Sequence, residues 1–223
     1  MATAALDRDA LKGHVGRKQT ATDVLHAGPV NLLRLALGRP EPELHDGDAL
    51  PPAWLALYFL PRFATATSRV VGADGLVAVE DERRTVFREE VKAGERNQAP
   101  RREPAPDDVP WRRQVTPDPV LLFRYSALTF NSHRIHYDRA WAMDVEGYPG
   151  LVVHGPLTTT LLVDFARDSN PGRRLVGYAT QARAPLFDTA PFELRGRPTG
   201  RGGECWAVTP EGTIAMSCEV DLD

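Results

Sequence analysis

Hydrophobic positions are unevenly distributed along the chain, and their spacing predicts two unlike halves. In the C-terminal part, Ile214, Met216, Cys218 and Val220 alternate with Thr213, Ala215, Ser217 and Glu219, the period of a half-buried strand. Strands are also expected over Arg174–Arg183, Phe192–Pro198 and Glu204–Val208, and Leu121–Tyr125 reads as a short apolar strand. Thr209-Pro-Glu-Gly212 marks a hairpin turn; counted about it, Cys205 faces a residue near 216 rather than Cys218, which argues against a disulfide. Between these runs, Gly155-Pro156 opens a helix on which Leu157, Leu161, Leu162 and Phe165 share one face, and Ser169-Asn-Pro-Gly172 stops it. One long helix followed by four antiparallel strands predicts an α+β fold, a sheet wrapped around a central helix.

The N-terminal part is poorer. Pro29–Leu37 reads as an apolar helix ended by Gly38, and Pro52–Leu60 is a second apolar stretch. Only Gly75–Glu90 offers strand material, too little to wrap a helix. Between the halves, Ala93–Val120 holds six prolines among many charges and reads as an extended linker. The expected division is therefore 1–92, a linker over 93–120, and 121–223.

Composition narrows the function. With 223 residues, 42% hydrophobic and 26% charged, the chain has the balance of a globular protein with a real core. A net charge of −3 disfavours nucleic acid as partner. No apolar run reaches membrane-spanning length, and Met1–Arg17 lacks the apolar core of a secretory signal. Two cysteines cannot build a disulfide framework, and no Cys/His spacing suggests a metal site, so a cytoplasmic setting is expected.

Candidate chemistry is concentrated in one stretch. His133, His136 and His154 are three of the six histidines and fall between a predicted strand and a predicted helix. Each has an ordinary structural reading: His136 as a surface histidine, His133 as a loop donor, Asn131 as a cap for a short helix, Tyr137 as packing, Asp138 and Arg139 as solvated charges. Together they offer more. Histidine is the usual general base near neutral pH, and a Gly-Pro helix start presents backbone N–H groups to a developing oxyanion.

The run Phe123-Arg-Tyr-Ser-Ala-Leu-Thr-Phe-Asn-Ser-His-Arg-Ile-His-Tyr-Asp138, with Tyr148-Pro-Gly-Leu-Val-Val-His-Gly-Pro-Leu157, resembles the hydratase motif of the MaoC-like enoyl-thioester hydratases and 3-hydroxyacyl-thioester dehydratases. It is closest to the branch of mesaconyl-C4-CoA hydratases and mitochondrial-type 3-hydroxyacyl-thioester dehydratases. Asn131 stands where the general motif has its Asp, His133 at its Asn, Arg134 at its Pro and His136 at its His, while Phe130 replaces its Gly. The resemblance extends over Gly16–Pro61 and nearly all of the C-terminal part. It implies a double hot-dog fold whose N-terminal hot dog is short by several strands. It also implies a hydro-lyase acting on an acyl thioester, CoA being favoured over acyl carrier protein. The roles it implies are His136 as base, Asn131 positioning the hydroxyl or water, and the Gly155 N–H as oxyanion donor. His133, Tyr137 and His154 would line the substrate. No metal or cofactor is required, and a homodimer is expected because the apolar faces of the N-terminal half exceed what its strands can cover. A weakly catalytic hot-dog subunit and a thioesterase are the rival readings.

Overall fold

The computed structural model describes residues 24–58, 65–72, 74–84 and 102–223. The start of Gly16–Pro61, the end of Pro52–Leu60, the end of Gly75–Glu90 and the start of Ala93–Val120 lie outside the described residues.

Five antiparallel strands form the main sheet: β3 (Trp111–Val115), β4 (Leu175–Ala182), β5 (Phe192–Pro198), β6 (Gly202–Val208) and β7 (Ile214–Leu222), in the order β3-β5-β6-β7-β4. Helix α3 (Gly155–Asp168) lies across this sheet and packs on β4, β5, β6 and β7. Leu157, Leu162, Val163 and Phe165 on the helix meet Phe192, Leu194, Cys205, Ala207 and Val220 from the strands in one apolar cluster. Each buried Leu, Val or Phe among them contributes about 1.5–3 kcal/mol by leaving water. The helix is covered on its far side too, so Thr158, Thr160 and Asp164 are buried as well.

The proline-rich segment is not a linker where it is described. Trp111–Val115 is an edge strand paired antiparallel with β5 from Trp111↔Gly196 to Val115↔Phe192. Gly196 and Gly203 make room for it: a Cβ at Gly203 would stand 2.8 Å from the Trp111 ring, and one at Gly196 2.9 Å from it. Just upstream, the Ala105 N–H bonds the Gly212 carbonyl and the Ile214 N–H bonds the Glu103 carbonyl, fastening the segment to the β6–β7 hairpin.

The strand expected at Leu121–Tyr125 is a helix, α2 (Pro119–Leu128). Asp118 is its N-cap, accepting from the Val120 and Leu121 N–H groups at 2.8 and 3.0 Å, and Pro119 occupies the first turn where its missing N–H is no loss. The helix ends in a Schellman arrangement. The Phe130 N–H reaches the Ala127 carbonyl, the Asn131 N–H reaches the Ser126 carbonyl, and Phe130 takes a left-handed φ of 50°.

Cys205 and Cys218 are directly opposed in the β6–β7 ladder: the turn closes at Thr209 and Thr213, one residue beyond the expected count, and a bulge at Ala207/Val208 adds one more. Both are free, buried thiols, and burial pushes Cys205 up to about 12 and Cys218 further in the same direction.

The described N-terminal elements are helix α1 (Ala27–Ala36), a 3-10 turn Trp54–Leu57 and a hairpin of β1 (Thr65–Val71) and β2 (Val77–Arg84). The first strand of that hairpin was not expected. Val30 and Leu33 of α1, with Trp54 and Leu57, join the main core. Trp54 donates to the buried carboxylate of Asp164 at 3.3 Å, and Arg39 bonds Asp168 at 2.7 Å, so this half is fastened to α3 by polar as well as apolar contacts. Among the described residues no helix is long and apolar enough to cross a membrane.

Candidate active site

The site is assembled from two loops held to each other by backbone bonds. The first leaves α2 at Asn131 and makes a 3-10 turn over Arg134–His136. The second, Leu151–Val153, runs between that turn and Leu186–Asp188. The Val152 N–H bonds the Ile135 carbonyl, the Val153 N–H bonds the Leu186 carbonyl, and the Asp188 N–H bonds the Leu151 carbonyl. Asp188 also accepts the Leu151 N–H at 2.9 Å and pairs with Arg139, and Asp138 accepts the Trp141 N–H at 3.0 Å and pairs with Arg134, so neither Asp138 nor Arg139 is simply a solvated charge. Gly150 is required there, since a Cβ would lie 2.7 Å from the Asp188 carboxylate and 2.6 Å from the Thr189 methyl.

His136 is buried at the end of the 3-10 turn. Its Nδ1 lies 2.7 Å from the Val152 carbonyl. A carbonyl only accepts, so Nδ1 carries the proton and Nε2 carries the lone pair, the tautomer a base needs. Burial holds the ring down at about 4, against the opposing effect of the Val152 bond and with a smaller push from His133. It is therefore neutral throughout the neutral range.

His154 is fully buried and stacks on His136, ring centroids 3.7 Å apart and planes 17° from parallel. Its Nε2 lies 2.8 Å from the Ser126 hydroxyl. It was expected on the substrate wall; the structure places it fully buried against the His136 ring. His133 is exposed and meets His136 edge-on at 5.5 Å. Tyr137 is half-exposed and donates its hydroxyl to the Ser132 carbonyl at 2.9 Å, bracing its own loop.

Asn131 does not cap the 3-10 turn, whose N-cap is His133. Its Oδ1 accepts the His133 N–H at 3.0 Å, which fixes the amide orientation; its NH2 has no partner among the described residues. Gly155 is exposed at the start of α3, immediately after the residue on which His136 stacks. Its N–H belongs to the first turn, where helix geometry supplies no acceptor, and Pro156 removes the next donor. The structure thus brings His133, His136 and His154 into one cluster with the α3 N-terminus beside it.

Two contributors were not singled out in the sequence. Ser126 escaped because a strand reading of 121–125 gave no reason to aim it at the site. The Val152 carbonyl is main chain and carries no side-chain signal. Among the described residues no group of three or more His, Cys, Asp or Glu is arranged to hold a metal ion.

Residues 59–188 match the family model of hydroxyacyl-thioester dehydratase type 2. The chain is 47% identical over 152 residues to a mesaconyl-C(4)-CoA hydratase of Chloroflexus aurantiacus, a match covering 66% of this chain and 51% of the relative. It is 36% identical over 87 residues to a mitochondrial hydroxyacyl-thioester dehydratase type 2 of Schizosaccharomyces pombe, covering 38% of this chain and 29% of that one. The chain thus spans about half the length of the first of these relatives and less of the second. Among solved structures, HtdX of Mycobacterium tuberculosis superposes with a TM-score of 0.51 at 16% identity, over 89% of this chain and 97% of that one.

Proposed function

The chain belongs to the hydroxyacyl-thioester dehydratase type 2 family of hot-dog proteins, and from that membership we propose that it adds water to, or removes it from, C2–C3 of an acyl-CoA thioester. The observation that carries this reading is the tautomer of His136: Nδ1 donates to Val152, which leaves Nε2 as a neutral, oriented base. In dehydration Nε2 takes the C2 proton, acidified by the thioester, as electron density moves onto the carbonyl oxygen. The Gly155 N–H and the positive end of α3 stabilise that enolate. The C3–OH bond then breaks, and His136 returns the same proton to the departing hydroxyl, giving enoyl thioester and water.

The low pKa of His136 suits the second half of this cycle, because an imidazolium of about 4 is a strong enough acid to protonate the leaving group. It makes the first half depend on the oxyanion donor. Asn131 can neither take nor give the proton; its NH2 donates to the C3 hydroxyl or the attacking water and positions it. A base contributes roughly 10²–10⁴ and an oxyanion donor roughly 10²–10³ in rate, together enough for an enzyme. We favour CoA over acyl carrier protein, with a mesaconyl-type acyl group the first to try, given the 47% identity to the Chloroflexus hydratase.

We take residues 102–223 as the catalytic hot dog and the N-terminal elements as a reduced second one that lies over the acyl chain. The working form is a homodimer in the cytoplasm. Supporting the dimer, Leu32 and Leu35 of α1, Leu76 and Val77 of the β1–β2 hairpin and Val176 of the edge strand β4 are all exposed. Light scattering tests it: a dilution-resistant monomer with no dye-detectable apolar surface overturns it.

The reaction is tested by loss of enoyl absorbance with crotonyl-CoA and mesaconyl-CoA, beside an assay of free-thiol release that detects thioesterase activity. His136→Ala is expected to lose at least two orders of magnitude in kcat while keeping its circular dichroism. In the wild type, kcat/KM should be level at neutral pH and fall as pH drops through about 4. A folded His136→Ala variant of near wild-type turnover overturns the mechanism.

A further inference from the structure

We propose that His154 is a positioning residue: anchored by Ser126, its ring caps one face of His136, keeps water from it and holds it neutral and aimed. The inference rests on the reading of His136 as the base and adds a second histidine that never touches substrate.

His154 occupies the N-cap of α3, a position where Ser, Thr, Asp or Asn would bond the first-turn N–H groups. It makes no such bond. The ring turns inward to Ser126 at 2.8 Å and lies flat against His136. Helix capping has been given up for a contact with the base. Its backbone carbonyl still accepts the Thr158 N–H, so the helix start itself is intact.

The ring has to be uncharged for this to work, and its surroundings ensure that. With Nε2 at Ser126, protonation would place an N–H at Nδ1, which is buried and has no partner among the described residues. The positive end of α3 opposes a cation there. His136 stacks on one face, with His133 beyond it, and either as a cation would repel another; from α2, Tyr125 meets the ring edge-on at 4.9 Å. Burial first, then His136 and His133, hold His154 at about 3. A neutral ring of this size excludes water from the face of His136 opposite the reacting atoms, and desolvation is the largest contribution to the low pKa of His136.

The test is a titration of the His136 ring by NMR in the ligand-free full chain, the signal assigned by its loss in His136→Gln. His154→Asn keeps a good N-cap while removing the ring, so α3 should remain formed. The His136 pKa is expected to rise by about one unit or more towards 6.5 as water reaches the ring, and the acid limb of kcat/KM should move up with it. His154→Phe restores an apolar cover and forfeits no cap bond, so its His136 should titrate as in the wild type. The Asn variant should lose kcat with KM little changed, because His154 is fully buried. If His154→Asn does not fold, Ser126→Ala, which removes the anchor, carries the comparison: its His136 should titrate above that of His154→Phe. A His136 pKa unaltered in the folded Asn variant, or shifted equally by Asn and Phe, overturns the proposal. The titration is read without substrate, so it stands or falls separately from the reaction: a fully active His136→Ala would remove the base but leave this measurement intact.

Discussion

Asp164 sits in the middle of α3, 2% exposed, where the N-terminal half packs on the central helix. Trp54 donates to its Oδ2 at 3.3 Å, Arg167 lies 3.3 Å from Oδ1 and Arg39 3.9 Å from Oδ2. Two arginines ought to favour the carboxylate, yet Oδ1 has no hydrogen bond among the described residues and burial outweighs them, raising the group to about 6 from 3.8. A shift of that size corresponds to about 3 kcal/mol. The direction follows from proton binding. The folded chain holds a proton on Asp164 between pH 3.8 and 6 that the unfolded chain releases. The stabilisation is therefore complete below 3.8 and is lost as pH rises through 6, above which an ionised Asp164 works against the fold. Asp164→Asn removes this titration. Measured by urea unfolding, the stability of the variant minus that of the wild type should increase by roughly 1 kcal/mol between pH 5 and pH 8, the rest of the swing lying at lower pH. A difference that stays level over that range would mean that Arg39 and Arg167 compensate for burial, and the reasoning would be refuted.

Asp118→Ala removes the acceptor of two N–H groups at the start of α2 and should cost about 1 kcal/mol, or roughly 2–4 °C in Tm, whereas Asp118→Asn should retain most of it; equal losses in the two variants would show that charge rather than capping is responsible. Phe130 is 86% exposed and left-handed, so Phe130→Gly relieves about 1–2 kcal/mol of backbone strain against about 0.5–1 kcal/mol of added freedom in the unfolded chain. Thermal unfolding should show a variant no less stable than wild type and up to about 1.5 kcal/mol more so, and a clear loss would reveal a packing role for the phenyl ring.

Strands whose two faces differ were legible in the sequence. From Met216 to Val220 the strand alternates between the core and a more open face, although Ala215 before it is buried too, and α3 announced itself through Gly155-Pro156 and the spacing of its leucines. β3 was not legible. Trp111-Arg-Arg-Gln-Val115 is an edge strand exposed at its three central positions, so it has no apolar alternation to read. The prolines around it suggested a linker, although Asp118-Pro119 is the ordinary opening of a helix. A five-residue apolar run such as Leu121–Tyr125 fits either period, and the cap decides it. The Cys205–Cys218 pairing depended on a bulge that leaves no compositional trace. At the site, the histidines were visible as a cluster, but their order in depth was not. That His154 lies behind His136, and that Ser126 anchors it, depends on how a helix and two loops meet.

The pairing of β3 with β5 decides where the C-terminal half begins. A fragment starting at residue 121, the boundary the proline-rich segment suggests, would lack β3 and with it the Asp118 cap of α2. Gly196 and its neighbours along β5, satisfied on that side by Trp111–Val115, would present a row of bare N–H and C=O groups to any passing strand. Such a fragment should form sheet-edge aggregates, whereas one beginning before Glu103 carries its own edge protection and its tie to the β6–β7 hairpin.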